Sequence, residues 1–121
     1  MIKNIDFVSI PVQDQKRALA FYTEKLGFSV FTDQPFDDKQ HWIELKIGGA
    51  QTKVVLFTPD GHQDRIGGFA NLSFTCDDVE KTYAEFKERG VEFVAPPRRE
   101  PWGVMAIFKD SEGNSFVMSA K

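Results

Sequence analysis

The sequence predicts an α+β fold made of two βαβββ modules in one domain, 1–121. Three observations predict it. A strand, helix and glycine unit over Phe7 to Phe28 recurs over Asn71 to Val91, with Asp14 aligned on Asp78 and Ser9 on Ser73. Each copy is followed by three short runs with strand-like apolar patterning. A stretch rich in Gly, Asp and Pro, PDGHQDRIGG, separates the copies. The expected organisation is module one 1–58, linker 59–68 and module two 69–121.

In the first copy, residues 4 to 12 alternate, with Val8, Ile10 and Val12 on one face and Phe7, Ser9 and Pro11 on the other. Pro11 points to an edge position or a bulge, because proline cannot donate to a ladder. Asp14 is an N-cap for a helix from about Gln15 to Lys25, whose stripe is Ala18, Tyr22 and Leu26, and Gly27 supplies the left-handed stop. Strands follow at about 28–36, 41–47 and 53–58. In the second, Ile43, Leu45 and Ile47 share one face and Trp42, Glu44 and Lys46 the other.

The second copy starts with a strand over Asn71 to Cys76. Asp77 is expected to cap a helix from Asp78 to about Arg89, with Val79, Tyr83 and Phe86 buried and Gly90 as its stop. Strands are predicted at Val91 to Val94, ended by Pro96 and Pro97, then Val104 to Lys109 and Ser115 to Ser119. The turn DSEGN, Asp110 to Asn114, joins the last two.

Composition narrows the function classes. A net charge of -3 argues against nucleic-acid binding, which usually needs a basic face. A single cysteine forbids an intrachain disulfide and fits a cytoplasmic protein. No apolar run approaches membrane-span length, and the N-terminus lacks the apolar core of a signal peptide. Twelve phenylalanines are more than the core strands need, leaving some for a pocket.

Four motifs carry a family likeness: Val12, Asp14, Ala18, Phe21, Tyr22, Leu26, Gly27 and Phe28 in the first half; DDVEKTYAEFKERGV in the second; the strand GVMAIFKD; and the turn DSEGN. Together, in order and duplicated, they resemble the vicinal oxygen chelate superfamily of glyoxalases, bleomycin-resistance proteins and extradiol dioxygenases. The resemblance implies curved mixed sheets with two main helices outside and an inner cup, and commonly a homodimer. Family enzymes hold a divalent metal through four inward strand positions, which fall here at Phe7, Leu56, Asn71 and Val117. Phe, Leu and Val offer no metal-binding atom and Asn is a weak ligand. No metal and no cofactor are therefore expected.

Strand alternation supplies an expected cup lining of Phe7, Ser9, Leu56, Thr58, Asn71, Ser73 and Val117, with Trp42 and Trp102 as aromatic walls and Glu44 as the acidic group. Such a lining suits a partly apolar organic ligand fixed by a few hydrogen bonds. The bland alternatives stay open: Phe7, Leu56 and Val117 as plain core, the tryptophans on a rim or dimer interface, Glu44 as a solvated residue. His41, His62, Arg98 and Arg99 read as surface groups, and Cys76 as a buried inert thiol. The expected function is a metal-free small-molecule binder that sequesters or carries its ligand. The alternatives are a glyoxalase-like lyase, isomerase or dioxygenase with a displaced metal site, and an accessory subunit with a filled cup.

Overall fold

The computed structural model describes all residues from Met1 to Lys121. The chain divides into two compact units, Met1–Ile66 and Gly67–Lys121. The elements of the first are β1 (Phe7–Pro11), α1 (Gln15–Ala20) continued by a π-helical turn (Phe21–Lys25), β2 (Ser29–Pro35), β3 (His41–Lys46) and β4 (Lys53–Phe57). A 3-10 turn over Gln63–Arg65 precedes the second unit. That unit contains β5 (Phe69–Thr75), α2 (Val79–Glu88), β6 (Glu92–Glu100), β7 (Gly103–Lys109) and β8 (Ser115–Ala120).

Both units use one topology. The first sheet has the order β1-β4-β3-β2 and the second β5-β8-β7-β6. The first and last strands pair in parallel, and the other pairs are antiparallel. The result is the predicted α+β class, with mixed sheets.

The helices begin on aspartate caps. Asp14 accepts a hydrogen bond from the Arg17 amide at 3.0 Å and Asp78 one from the Lys81 amide at 3.1 Å. The cap of α2 is therefore Asp78, one residue later than expected, because Asp78 is the residue with extended backbone whose carboxylate reaches back into the first turn. Gly27 and Gly90 have φ of +82° and +89°, the left-handed region that ends a helix at low cost in a residue without Cβ.

In the first unit the strands' contribution to the helix-side core is aliphatic. Ile10, Ile43, Leu45, Val54 and Leu56 are buried together with Ala18, Phe21 and Tyr22 of the helix. In the second unit it is aromatic. Phe74, Phe93, Phe108 and Phe116 stack beneath α2, and Phe86 of α2 meets Phe108 edge-on with ring centres 6.1 Å apart.

Strand β6 runs through Pro96 and Pro97 rather than ending before them. It is an edge strand whose register against β7 slips between Phe93 and Arg98. An edge position leaves amides unpaired anyway, so the prolines cost little there. The Asp110–Asn114 turn is pinned by Asp110, which accepts from the Glu112 and Asn114 amides at 2.8 and 2.9 Å.

Candidate ligand-binding site

Register decides which residues stand on the sheet face away from the helix, here called the open face. In the first unit Ser9 pairs with Val55, Val55 with Glu44, and Glu44 with Thr32. Phe7, Trp42 and Phe57 share that face by alternation. Leu56 does not. It pairs with Ile10 and Ile43 and is fully buried with them, so it belongs to the helix-side core and not to a cup lining. The open-face residues of β4 are Val55 and Phe57. Thr58 follows the same corrected phase. It lies just past the end of β4, where its amide donates to Gln40 Oε1 and its carbonyl accepts from Gln40 Nε2, both at 3.0 Å.

The open face of the first unit is an aromatic platform. Phe7 meets Trp42 edge-on with ring centres 5.5 Å apart. Phe36 packs on Trp42 at 5.8 Å and on Phe57 at 5.9 Å, and Trp42 and Phe57 stand 6.3 Å apart. Each such pair contributes about 0.5–1.5 kcal/mol beyond its buried area. Val55 is fully buried although it stands on the open face between these strands. Phe36, by contrast, keeps 55% of its surface accessible.

One polar contact fixes this platform. The Trp42 indole Nε1–H donates to Glu44 Oε1 at 2.8 Å. The bond satisfies the indole donor and holds the ring across the sheet, while the carboxylate keeps further acceptor capacity. Two glutamines brace the strand that carries it. Gln15 Nε2 donates to the carbonyls of Leu56 (2.9 Å) and His41 (2.8 Å), and its Oε1 accepts from the His41 amide at 2.9 Å. The start of β3, next to Trp42, is thus tied to the start of α1. Sequence reasoning missed Phe36, Phe57 and this bracing; only the aromatic character of the first two was visible.

The second unit's open face differs. Ser73 pairs with Val117 and Val117 with Ile107, while Thr75 pairs with Ser119 and Ser119 with Met105. The Ser73 and Ser119 hydroxyls lie 3.3 Å apart. Asn71 sits where the β5–β8 register shifts and has φ of +53°, the single non-glycine residue with positive φ. Asn tolerates this conformation better than most residues, and such strain is concentrated at functional positions. Trp102 is exposed in the turn between β6 and β7, apart from these open-face residues in the strand register.

Other flagged groups have structural partners. His41 Nδ1 lies 2.7 Å from Asp33, and both side chains are accessible to solvent. Arg98 pairs with Glu100. Cys76 is half-buried; burial pushes its thiol up from the ordinary value, the Thr82 hydrogen bond opposes this, and the charges of Asp77 and Asp78 add smaller upward pushes. A raised thiol pKa makes a poor nucleophile.

The sequence matches the family described as the Glyoxalase/Bleomycin resistance protein/Dioxygenase superfamily over residues 4–118. The chain belongs to this superfamily. It is 36% identical over 118 residues to the uncharacterized protein YetH of Bacillus subtilis (strain 168), covering 98% of both chains. Among solved structures, a superfamily member from Sphaerobacter thermophilus DSM 20745 superposes with a TM-score of 0.90 at 33% identity, covering 99% of this chain and 98% of that one. TnmS3, an antibiotic binding protein from Streptomyces sp. CB03234, superposes with a TM-score of 0.85 at 33% identity, covering 98% and 96%.

The superfamily's divalent metal does not fit the residues present. Phe7, Asn71 and Val117 offer one amide among them, and the open-face residues of β4 are Val55 and Phe57. No three His, Cys, Asp or Glu side chains come together anywhere in a way that could hold a metal ion.

Proposed function

We propose that this superfamily member is a metal-free binding protein for a partly apolar organic molecule, which it sequesters or carries. The observation that carries the reading is the open-face platform of Phe7, Phe36, Trp42 and Phe57. The helix-side core of that unit is already filled by aliphatic strand residues with Phe21 and Tyr22 of the helix, so these four rings stand outside it. An aromatic surface with one oriented carboxylate, Glu44, suits a flat ligand held by stacking and a directed hydrogen bond. Similarity to an antibiotic binding protein supports a small-molecule ligand. Ser9 is a further ligand-facing candidate on the first unit's open face; taken by itself, the second unit offers Asn71, Ser73 and Val117 on its own open face and Trp102 in its β6–β7 turn.

A homodimer is part of this reading. Edge strand β2 exposes Val30 and Phe31 and edge strand β6 exposes Val94, apolar groups that a second copy would cover. The chain's one thiol has no partner cysteine, which supports a cytoplasmic protein.

A Trp102→Phe variant leaves Trp42 as the sole indole and turns it into a reporter. Titration with fused-ring aromatic antibiotics is expected to quench its fluorescence saturably, with EDTA making no difference. Phe57→Ala should weaken binding by about tenfold or more, the size of one lost stacking contact. Unchanged affinity in that variant, or quenching that needs an added divalent metal, would sink the proposal.

A further inference from the structure

Beside the aromatic platform lies a groove of about 520 Å³, within the size range of small-molecule sites. Its apolar lining is Pro11, Phe57 and Pro59, and the Ser9 hydroxyl faces it. Phe57 is common to groove and platform, so the two form one continuous surface. Three ionisable side chains line the groove: Asp60, His62 and Arg65. None of them takes part in an ion pair or side-chain hydrogen bond. Asp60 is shared with a neighbouring depression lined by Asp37, Asp38 and Lys39, whereas His62 and Arg65 do not line that depression.

We infer that the ligand is an aromatic acid: its ring rests on Phe57 and the platform, and its anionic group is held by Arg65 in the groove. This rests on the binding reading above and narrows it to a chemical class. Three features support it. The guanidinium is an unengaged planar donor fork matched to a carboxylate. The backbone of Gln63–Arg65 is a 3-10 turn, which fixes where the side chain starts. The Pro11, Phe57 and Pro59 lining excludes competing water on one side, which strengthens a charged hydrogen bond. Arg65 is then a specificity-determining residue, and a His62 ring N–H a second donor.

The test uses three isosteric probes on the full chain carrying Trp102→Phe: 2-naphthoate, neutral 2-naphthamide and cationic 2-naphthylmethylammonium, read by Trp42 fluorescence at low salt. 2-Naphthoate is expected to bind about tenfold or more tighter than the amide, as for a hydrogen bond to a charged group. Arg65→Gln should reduce that preference to about twofold or less while leaving the amide's affinity alone. Lys53→Gln, which removes a cation already paired with Asp6, should leave the preference intact. Equal affinity for acid and amide, tightest binding of the cation, or a preference lost in Lys53→Gln but kept in Arg65→Gln overturns the inference. If the amide still binds and responds to Phe57→Ala, the binding reading survives that failure. If no probe binds, both fall.

Discussion

The two units share a topology and cluster their strand-borne aromatic rings on opposite faces. In the first, aliphatic strand residues are buried with Ala18, Phe21 and Tyr22 of the helix, and the rings of Phe7, Phe36, Trp42 and Phe57 stand on the open face. In the second, Phe74, Phe93, Phe108 and Phe116 lie under α2, and the open face carries Ser73, Val117, Ser119, Ile107 and Met105. The backbone ladder is indifferent to this choice, because hydrogen bonds between strands do not depend on side-chain identity. Duplication therefore keeps the scaffold while each copy's open face diverges. The difference lies in clustering: the second unit exposes Phe69 and Trp102 singly, whereas an open-face cluster of rings in mutual contact is found in the first unit.

The largest expected break of the comparison is Leu56→Glu against Val117→Glu. The first puts an unpaired carboxylate into the aliphatic core of the first unit and should cost about 3 kcal/mol or more. The second places it on the partly accessible open face of the second unit and should cost about 1 kcal/mol or less. Urea unfolding measures both, and equal losses would mean that the faces are wrongly assigned. Next comes Asn71→Val against Phe7→Val. A β-branched residue at φ of +53° should lose about 1–3 kcal/mol from backbone strain, whereas Asn71→Gly should be neutral or slightly stabilising. Phe7 has no such strain, so its loss should follow ring packing alone and persist in Phe7→Gly. The smallest effect is expected from the caps. Asp14→Ala and Asp78→Ala should each cost about 1 kcal/mol, and a difference much beyond that would show that the π-helical turn after α1 makes the first helix more dependent on its cap.

Much of this architecture is legible in the sequence, because its signals are local. The duplicated aspartate, apolar stripe and glycine mark both helices. Alternation in Trp42 to Lys46 separates the faces of β3 correctly. The phase of β4 is not legible. Val54, Val55, Leu56 and Phe57 are all apolar, so alternation carries no information there. Only pairing of Leu56 with Ile43 reveals that Val55 and Phe57 face outward. That missing phase also hid Phe57 from the candidate site. The length of β6 was hidden for a different reason: two prolines read as a stop, and their tolerance depends on an edge position that is a tertiary fact. The Gln15 and Gln40 braces span 26 and 18 residues of chain and leave no local pattern. The correction at Leu56 does not restore a ligand set, since neither Val55 nor Phe57 has a donor atom.

The parallel pairing of first and last strand also has a kinetic meaning. It begins with Phe7 beside Lys53 in one unit and Phe69 beside Ser115 in the other, partners 46 residues apart in both cases. Each unit must close a loop of the same span before its outer strands are rewarded, and that entropy depends on span and not on sequence. Topology therefore gives neither unit a head start in folding, and both carry the slow, non-local contacts of mixed sheets. Any difference in their folding rates has to come from the side chains that differ between them, above all the aliphatic and the aromatic cores under the two helices.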